Sequence, residues 1–348
     1  MAMNSLKEAE KLLADPLWRL NNLYWIIDKT GNKTLFRLNW AQQELYQGMW
    51  YCNLILKARQ LGISTFVCLL FLDRCLFNSN QHAGIIAHTR EDAEMMFRRV
   101  KFAYDSLPPE LKAIRQVNTD NARELQLSNG STLRVGTSMR SSTLQYLHIS
   151  EFGKICAKFP DKAREIVTGS LNALAAGQYI FIESTAEGRD GYFHQMCKEA
   201  QANADAQKKL SPLDFRLHFF PWWRQRDYRI DSSGLLVPSH LSDYFSALEG
   251  KIKTKLDDGQ RAWYTKRILT QGEDMKREFP SFPDEAFETS NEGLYYGQQI
   301  SEARQQNRLR KIYYDANLPV HTSWDLGFND STAIWFFQQV GQEIHILE

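Results

Sequence analysis

Leu54-Ile55-Leu56-Lys57-Ala58-Arg59-Gln60-Leu61-Gly62-Ile63-Ser64-Thr65 is the stretch that decides how this chain is read. The apolar run Leu54 to Leu56 suits a short buried strand. A polar turn with one glycine follows, and Phe66-Val67-Cys68-Leu69-Leu70-Phe71-Leu72 continues as a buried helix. Strand, turn and helix in that order make the setting of a phosphate-binding loop. The amides at the helix start point outward and carry the positive end of the helix dipole. The pattern G-x-x-x-x-G-K-[ST] is met only in part. Gly62 takes the second glycine, and Ser64 takes the hydroxyl position that holds magnesium, with Thr65 beside it. Ile63 stands at the lysine and Lys57 at the first glycine. The missing lysine removes a point charge from the β- and γ-phosphates. Lys57 and Arg59, on the same turn, are the residues that can restore it. Read alone, the stretch equally fits an ordinary strand-turn-helix corner with two surface cations.

Working outward, the 348 residues allow two domains, and a hydrophobic content of 43% supports well-filled cores. Net charge is +1, from 42 basic and 41 acidic residues, so no global field draws the chain to nucleic acid. Any DNA surface has to be a local patch. Cys52, Cys68, Cys75, Cys156 and Cys197 form no C-x-x-C pair and lie largely in apolar runs. They read as reduced, buried thiols of a cytosolic protein. Neither a signal peptide nor an apolar run of about 18 residues is present. The expectation is a soluble intracellular protein with no membrane partner.

Residues 1–30 read as helical, with Leu23-Tyr24-Trp25-Ile26-Ile27 as an apolar face and Asp28 to Asn32 as a turn. In Trp40-Ala41-Gln42-Gln43 a glutamine amide is placed to read an adenine edge, or lies on the surface of an amphipathic helix. Ala83 to His88 is a buried strand, and Thr89 caps a helix from about Arg90 to Ser106. Leu125 to Val135 alternates around Asn129-Gly130, a hairpin signal. The loop Gly136 to Thr143 carries Arg140. Leu144 to Phe152 is an apolar strand ending in an acid: Ser150 takes the place of a metal-side carboxylate, and Glu151 that of the group that polarises water. A helix is expected from about Asp161 to Ala176. A strand from Gln178 then ends in Glu183-Ser184-Thr185, whose hydroxyls either sense a γ-phosphate or cap the next helix, Tyr192 to Gln207. This β/α alternation predicts an α/β fold with a doubly wound parallel sheet. From Ser211 the texture turns aromatic, then helical and charged over 240–278. Residues 301–311 read as a modest basic helix with Arg304, Arg308, Arg310 and Lys311. Val320 to Phe337 reads as strand, turn and strand, with Asp325 in the first strand, Asp330 in the turn, and a third strand near Ile344.

Taken together these motifs resemble the large terminase subunit of tailed bacteriophages, a DNA-packaging ATPase and nuclease. Lys57-Ala58-Arg59-Gln60-Leu61-Gly62-Ile63-Ser64-Thr65 is similar to that family's variant Walker A, with the lysine displaced to the start of the loop. Leu147-His148-Ile149-Ser150-Glu151 resembles its Walker B, Ser184-Thr185-Ala186-Glu187-Gly188 its coupling motif, and Trp40 to Gln43 its adenine region. Glu278 to Phe287 resembles the end of its lid, and Trp324-Asp325-Leu326-Gly327 the first metal-binding strand of its RNase H-like nuclease.

The resemblance implies a P-loop ATPase domain over 1–210, a lid or linker subdomain over 211–315, and the start of an RNase H-like domain over 316–348. It implies ATP and Mg2+ as cofactors, with Mg2+ or Mn2+ at the nuclease. Gln42, Gln43, Lys57, Ala58, Arg59, Gln60, Leu61, Gly62, Ile63, Ser64 and Thr65 would bind ATP. Glu151, Lys57, Arg59 and Arg140 would be catalytic, Arg140 by insertion into a neighbour's site, and Ser184 and Thr185 would couple hydrolysis to movement. Ser64 would hold the ATPase metal and Asp325 a nuclease metal. The nuclease needs acids on later strands that this sequence lacks, so a fragment that does not cut DNA is expected. The partners implied are double-stranded DNA, the procapsid portal, the small terminase subunit and a homo-oligomeric ring, in the host cytoplasm. A helicase-like NTPase and a degenerate nucleotide-binding scaffold are the other readings; Ile63 and Ser150 favour the scaffold.

Overall fold

The computed structural model describes residues 2–139, 143–171, 174–188, 191–272, 274–287, 303, 306, 308, 312–326 and 333–347. They fall into two compact units, residues 1–289 and 290–348.

In the first unit, helices α1 (Ala2–Ala14) and α2 (Pro16–Asn22) lead into a hairpin of β1 (Trp25–Ile27) and β2 (Lys33–Leu35). Helix α3 (Trp40–Gln47), strand β3 (Cys52–Lys57), helix α4 (Ile63–Phe77) and strand β4 (His82–Ile86) follow. Next come α5 (Arg90–Asp105), α6 (Pro109–Ile114) and the strands β5 (Val117–Asp120), β6 (Glu124–Leu127), β7 (Thr132–Gly136) and β8 (Leu144–Ser150). After β8 lie α7 (Phe152–Lys158), α8 (Pro160–Glu165), β9 (Leu174–Ser184), α9 (Tyr192–Asp205) and β10 (Phe215–Phe220). Helices α10 (Ser239–Ile252), α11 (Asp258–Gln271), α12 (Asp274–Glu278) and α13 (Pro283–Ala286) complete the unit.

Eight strands form one sheet in the order β10-β3-β9-β8-β4-β7-β6-β5, parallel from β10 to β7 and antiparallel at the β6 and β5 edge. Helices cover both faces, as a parallel sheet requires. Alternation along β3 sends Ile55 into the core beneath α4 and α5, while Cys52, Leu54 and Leu56 enter the core beneath α7 and α9. The α/β expectation is met. All five cysteines are buried and unpaired. Among the described residues no helix is long and apolar enough to cross a membrane.

Two local expectations are corrected, and the aromatic run after Ser211 takes a defined place. Trp25–Ile27 is a strand, not a helical face. The Asp28 carboxylate accepts from the Thr30 and Asn32 amides (2.8 and 2.9 Å), so the chain turns back to pair with Lys33–Leu35 and leaves Ile27 half exposed. The helix expected over 161–176 starts earlier and ends sooner. Pro160 begins α8, a π-helical turn covers Ile166–Ser170, and pairing of Leu144 with Leu174 opens β9 four residues before the expected Gln178. The aromatic run at 215–220 is a sheet strand, parallel to β3 in the register Phe215 with Cys52 through Phe220 with Lys57. Trp222, Phe245, Tyr264, Met275 and Phe279 then join the core on the α4 side.

In the second unit, β11 (His321–Asp325), β12 (Ala333–Val340) and β13 (Glu343–Ile346) make an antiparallel sheet, as the strand pattern predicts. Gln338 ties the segment before it: its amide nitrogen donates to the carbonyls of Asp315 and Leu318, and its oxygen accepts from the Asp315 amide. Gly327 and Asp330, like Arg304, Arg310 and Lys311, lie outside the described residues.

On β10, His218 is buried beside β3, with Nε2 3.1 Å from Asn53 Oδ1. Burial first, and the charge of Arg216 second, push its pKa from 6.5 down to about 4. The unfolded chain therefore takes up this proton at higher pH than the folded one. Stability present above pH 6.5 is lost as the pH falls towards about 4, by on the order of 3 kcal/mol at most. Urea unfolding at about pH 7 and about pH 4.5 checks this: His218→Gln is expected to lose about 2 kcal/mol less than wild type across that interval. Equal losses in the two proteins contradict the assignment.

Candidate functional site

The C-terminal edge of β3, β9 and β8 assembles the site by simple alternation. On β3, Lys57 lies two residues beyond Ile55 and so on the α4 side. On β9, Glu183 lies two residues beyond Phe181, whose ring packs 5.8 Å from Phe71 of α4. On β8, Ser150 lies two residues beyond His148, itself 6.3 Å from the same Phe71 ring. Because β9 runs between β3 and β8, Glu183 stands in the middle, directly paired with Ile55 on one side and Ser150 on the other. The first turn of α4 covers the group with Ser64.

Glu183 is fully buried, and its Oε2 lies 3.0 Å from Lys57 Nζ. Its Oε1 accepts from Ser64 Oγ (2.5 Å) and Ser150 Oγ (2.8 Å), with His148 Nε2 3.5 Å away. Lys57 Nζ also lies 3.6 Å from Glu151 Oε1, and Lys154 Nζ is 3.4 Å from Glu151 Oε2. Burial alone would raise the Glu183 pKa. The charge of Lys57, the His148 contact and the Ser64 hydrogen bond outweigh it and hold the carboxyl well below the usual carboxylate range. Burial likewise works against the Lys57 ammonium, but the two carboxylates raise its pKa above the ordinary lysine value. The charged pair is thus the resting form across neutral pH.

The loop above it is shaped by Gly62, which sits at φ +72° and caps α4 without a side chain. A Cβ here would lie 2.7 Å from Gln42 Nε2, so both conformation and space call for glycine. The first helical bond of α4 is Phe66 N–H to Gly62 C=O (3.0 Å), so the amides of Ile63, Ser64 and Thr65 precede the ladder, where an anion is favoured. Gln42 is spent on the loop itself: its oxygen accepts from Asn39 N–H (3.0 Å) and its nitrogen donates to Gly62 C=O (2.8 Å). Gln43 is exposed, and with Gln60, Thr65, Trp40 and Arg224 it lines a cleft of about 1040 Å3. Arg224 stacks 4.2 Å over the Trp40 ring.

Arg59 is engaged by Glu278 and Tyr228. Its guanidinium is 3.1 Å from Glu278 Oε2, its N–H donates to the Glu278 carbonyl (3.1 Å), and Tyr228 Oη donates to the Arg59 carbonyl. Arg277 bridges Glu278 and Glu187 (3.6 and 3.2 Å). Ser184 Oγ accepts from Gly153 N–H (3.0 Å). It therefore serves the first turn of α7 rather than the helix after Gly188 that the cap reading invoked. Thr185 Oγ1 is buried with no hydrogen-bond partner. Arg140 lies outside the described residues. Asp325 ends β11 in the second unit, exposed. Among the described residues no group of three or more His, Cys, Asp or Glu could by itself hold a metal. The donors present are the Ser64 hydroxyl and its carboxylate neighbours. Sequence reasoning passed over Glu183 in favour of the two hydroxyls after it. An acid closing an apolar strand, the same signal that singled out Glu151, was there to be read.

Glu151 adopts φ 55°, ψ 44°, the left-handed region, with no side-chain cap bond. For a residue with a Cβ this costs on the order of 1–3 kcal/mol, and such strain concentrates at working sites. Asparagine tolerates the conformation better. Glu151→Asn is expected to unfold in urea at or slightly above the wild-type midpoint. Lys57→Ala strands the Glu183 charge and is expected to cost about 3–5 kcal/mol. The opposite order of stabilities contradicts both assignments.

No protein-family model matches the chain, and neither does any curated protein sequence. Among solved structures, it is similar to the large terminase of bacteriophage HK97 at TM-score 0.51 and 13% identity, over 95% of this chain and 65% of that one. The chain thus spans slightly less than two thirds of the HK97 protein. It is also similar to the large terminase ATPase domain of Thermus phage P74-26 (TM-score 0.44, 15% identity, 71% of this chain and 94% of that one). A third similar structure is the large terminase of a thermophilic bacteriophage (TM-score 0.41, 11% identity, 90% of this chain and 67% of that one). The chain has a large-terminase-like fold: a parallel-rich central sheet flanked by helices.

Proposed function

We propose that residues 1–289 form an ATP-hydrolysing motor that drives viral double-stranded DNA into a procapsid. The observation that carries this reading is the convergence of Lys57, Ser64 and Glu151 beneath the open amides at the start of α4. A triphosphate placed there meets the positive end of the helix and a lysine from the loop's first position. Lys57 leaves its carboxylates to contact the phosphates, and Glu151, at the mouth of the site, orients the attacking water. Mg2+ supplies charge neutralisation of the phosphates when bound, and the residues present fit it: Ser64 offers a hydroxyl, and buried carboxylate oxygens stand near with hydrogen-bonding capacity unfilled. Gln43 and the Trp40 edge of the cleft face the base, while Gln42 holds the loop.

The segment after the sheet strand β10, residues 221–287, acts as the lid. Arg59 ties the loop to Glu278, so a shift of the loop on hydrolysis pulls directly on α12. Ser184 and Thr185 carry the same event to α7. Arg140 completes the site of a neighbouring subunit, in a ring seated on the portal and fed by the small terminase subunit, in the host cytoplasm. DNA is gripped through phosphate contacts, which makes binding steeply salt-dependent. Asp325 belongs to the metal-binding strand of an RNase H-like nuclease.

A second reading, a nucleotide-binding scaffold without turnover, is favoured by the closeness of Glu183 and Glu151 to Lys57, which the nucleotide has to displace. ATP hydrolysis by the purified chain, with and without double-stranded DNA and over a range of protein concentration, separates the two. The motor reading expects turnover that rises with protein concentration and falls by about 10³-fold or more in Glu151→Gln. Nucleotide binding with no turnover above that variant supports the scaffold.

A further inference from the structure

Resting on the nucleotide reading above, we propose that Glu183, on the strand next to the Walker B strand, supplies the magnesium-side carboxylate that Ser150 lacks. A phosphate loop holds its metal through the loop hydroxyl and a carboxylate at the end of a neighbouring strand. Strand β8 ends in Ser150 at that position. Strand β9, between β8 and the loop strand β3, carries Glu183 as its penultimate residue, paired with Ser150 across the sheet.

The hydrogen bonds place the carboxylate where the role requires it. Glu183 Oε1 accepts from Ser64 Oγ at 2.5 Å and from Ser150 Oγ at 2.8 Å. An aspartate at position 150 would carry its oxygen one bond beyond the present Ser150 Oγ, towards Glu183 Oε1. The longer side chain from the adjacent strand thus brings a carboxylate to the same side of Ser64. Ser64 spends its proton on Glu183, so the lone pairs of that hydroxyl stay free for a cation. Glu183 Oε2 is held by the Lys57 ammonium at 3.0 Å, and among the described residues no other group donates to it. Once Lys57 turns to phosphate, that oxygen is left to accept from a metal-bound water. Ser150 keeps a part as well: its hydroxyl donates to Glu183 and fixes which rotamer the carboxylate holds. Glu183 acts through Ser64 and bound water, and is in that sense a positioning residue for the metal.

The experiment is calorimetric titration of the full chain with ATPγS, in Mg2+ and in EDTA, with Mn2+ electron paramagnetic resonance of the nucleotide-loaded protein as a second signal. Wild type is expected to bind more tightly with Mg2+. In Glu183→Gln the gain from Mg2+, taken as the ratio of affinities in Mg2+ and in EDTA for the same protein, drops by about tenfold or more and the bound-Mn2+ signal weakens. The double variant S150D/E183S, which returns the carboxylate to β8, is expected to recover most of the gain. It also decides the matter should Glu183→Gln not fold, since no recovery there overturns the proposal. A full Mg2+ gain in folded Glu183→Gln overturns it while leaving the nucleotide reading intact. No ATPγS binding by wild type in either condition overturns both.

Discussion

The buried ion pair between Lys57 and Glu183 is the constraint around which the first unit is arranged. Removing two charges from water costs several kcal/mol per ion, and their attraction offsets this only when the remaining lone pairs are also met. Here Ser64, Ser150 and His148 gather on the one oxygen that Lys57 does not hold. The pair therefore specifies more than itself: three strands in one order and the first turn of α4 at one height. In the proposed function a triphosphate and its counter-ion exchange partners with this same charge.

Helix α4 is held at both ends by charge. Its start is fastened through Ser64 to Glu183. Further along, Asp73 is fully buried and receives Arg19 Nε and Nη2 (2.8 and 2.7 Å) and Tyr24 Oη (2.7 Å). Burial first, and the Asp73 charge second, raise the Tyr24 pKa well above its usual value, so the phenol stays protonated as a donor. Between these anchors nearly every residue of α4 is buried. A helix that apolar cannot choose its own rotation by an exposed polar face, so the two charged contacts supply the orientation that hydrophobic packing leaves open.

The segment after β10 shares this core and reaches the loop directly. Ala58 N–H donates to the Phe220 carbonyl and Arg59 N–H to the Glu278 carbonyl, while Trp222 N–H and its indole donate to Pro280 and Ser281. Trp222, Tyr228, Trp263 and Phe279 pack ring on ring behind these bonds. Loop and helical segment are therefore linked by short backbone contacts braced with large side chains, a stiff arrangement suited to transmitting a small displacement.

Much of this was legible along the chain. Local chemistry determined the strand-turn-helix at 54–72, the Thr89 cap, the hairpin around Asn129-Gly130 and the three late strands, because apolar periodicity and turn residues act between near neighbours. Position also marked Lys57, Ser64 and Glu151. What only the tertiary structure decided came from pairing across long separations. Phe215–Phe220 became a sheet strand because β3 offered an open edge, and Leu174 entered β9 because Leu144 lay opposite. Arg59 turned to Glu278, and Gln42 to Gly62, because those partners came within reach. Glu183 shows the division most sharply: alternation sets which face of β9 it occupies, but nothing local says that β9 runs between β3 and β8. That strand order, a product of how the whole sheet packs, is what brings its carboxylate to Lys57, Ser64 and Ser150 at once.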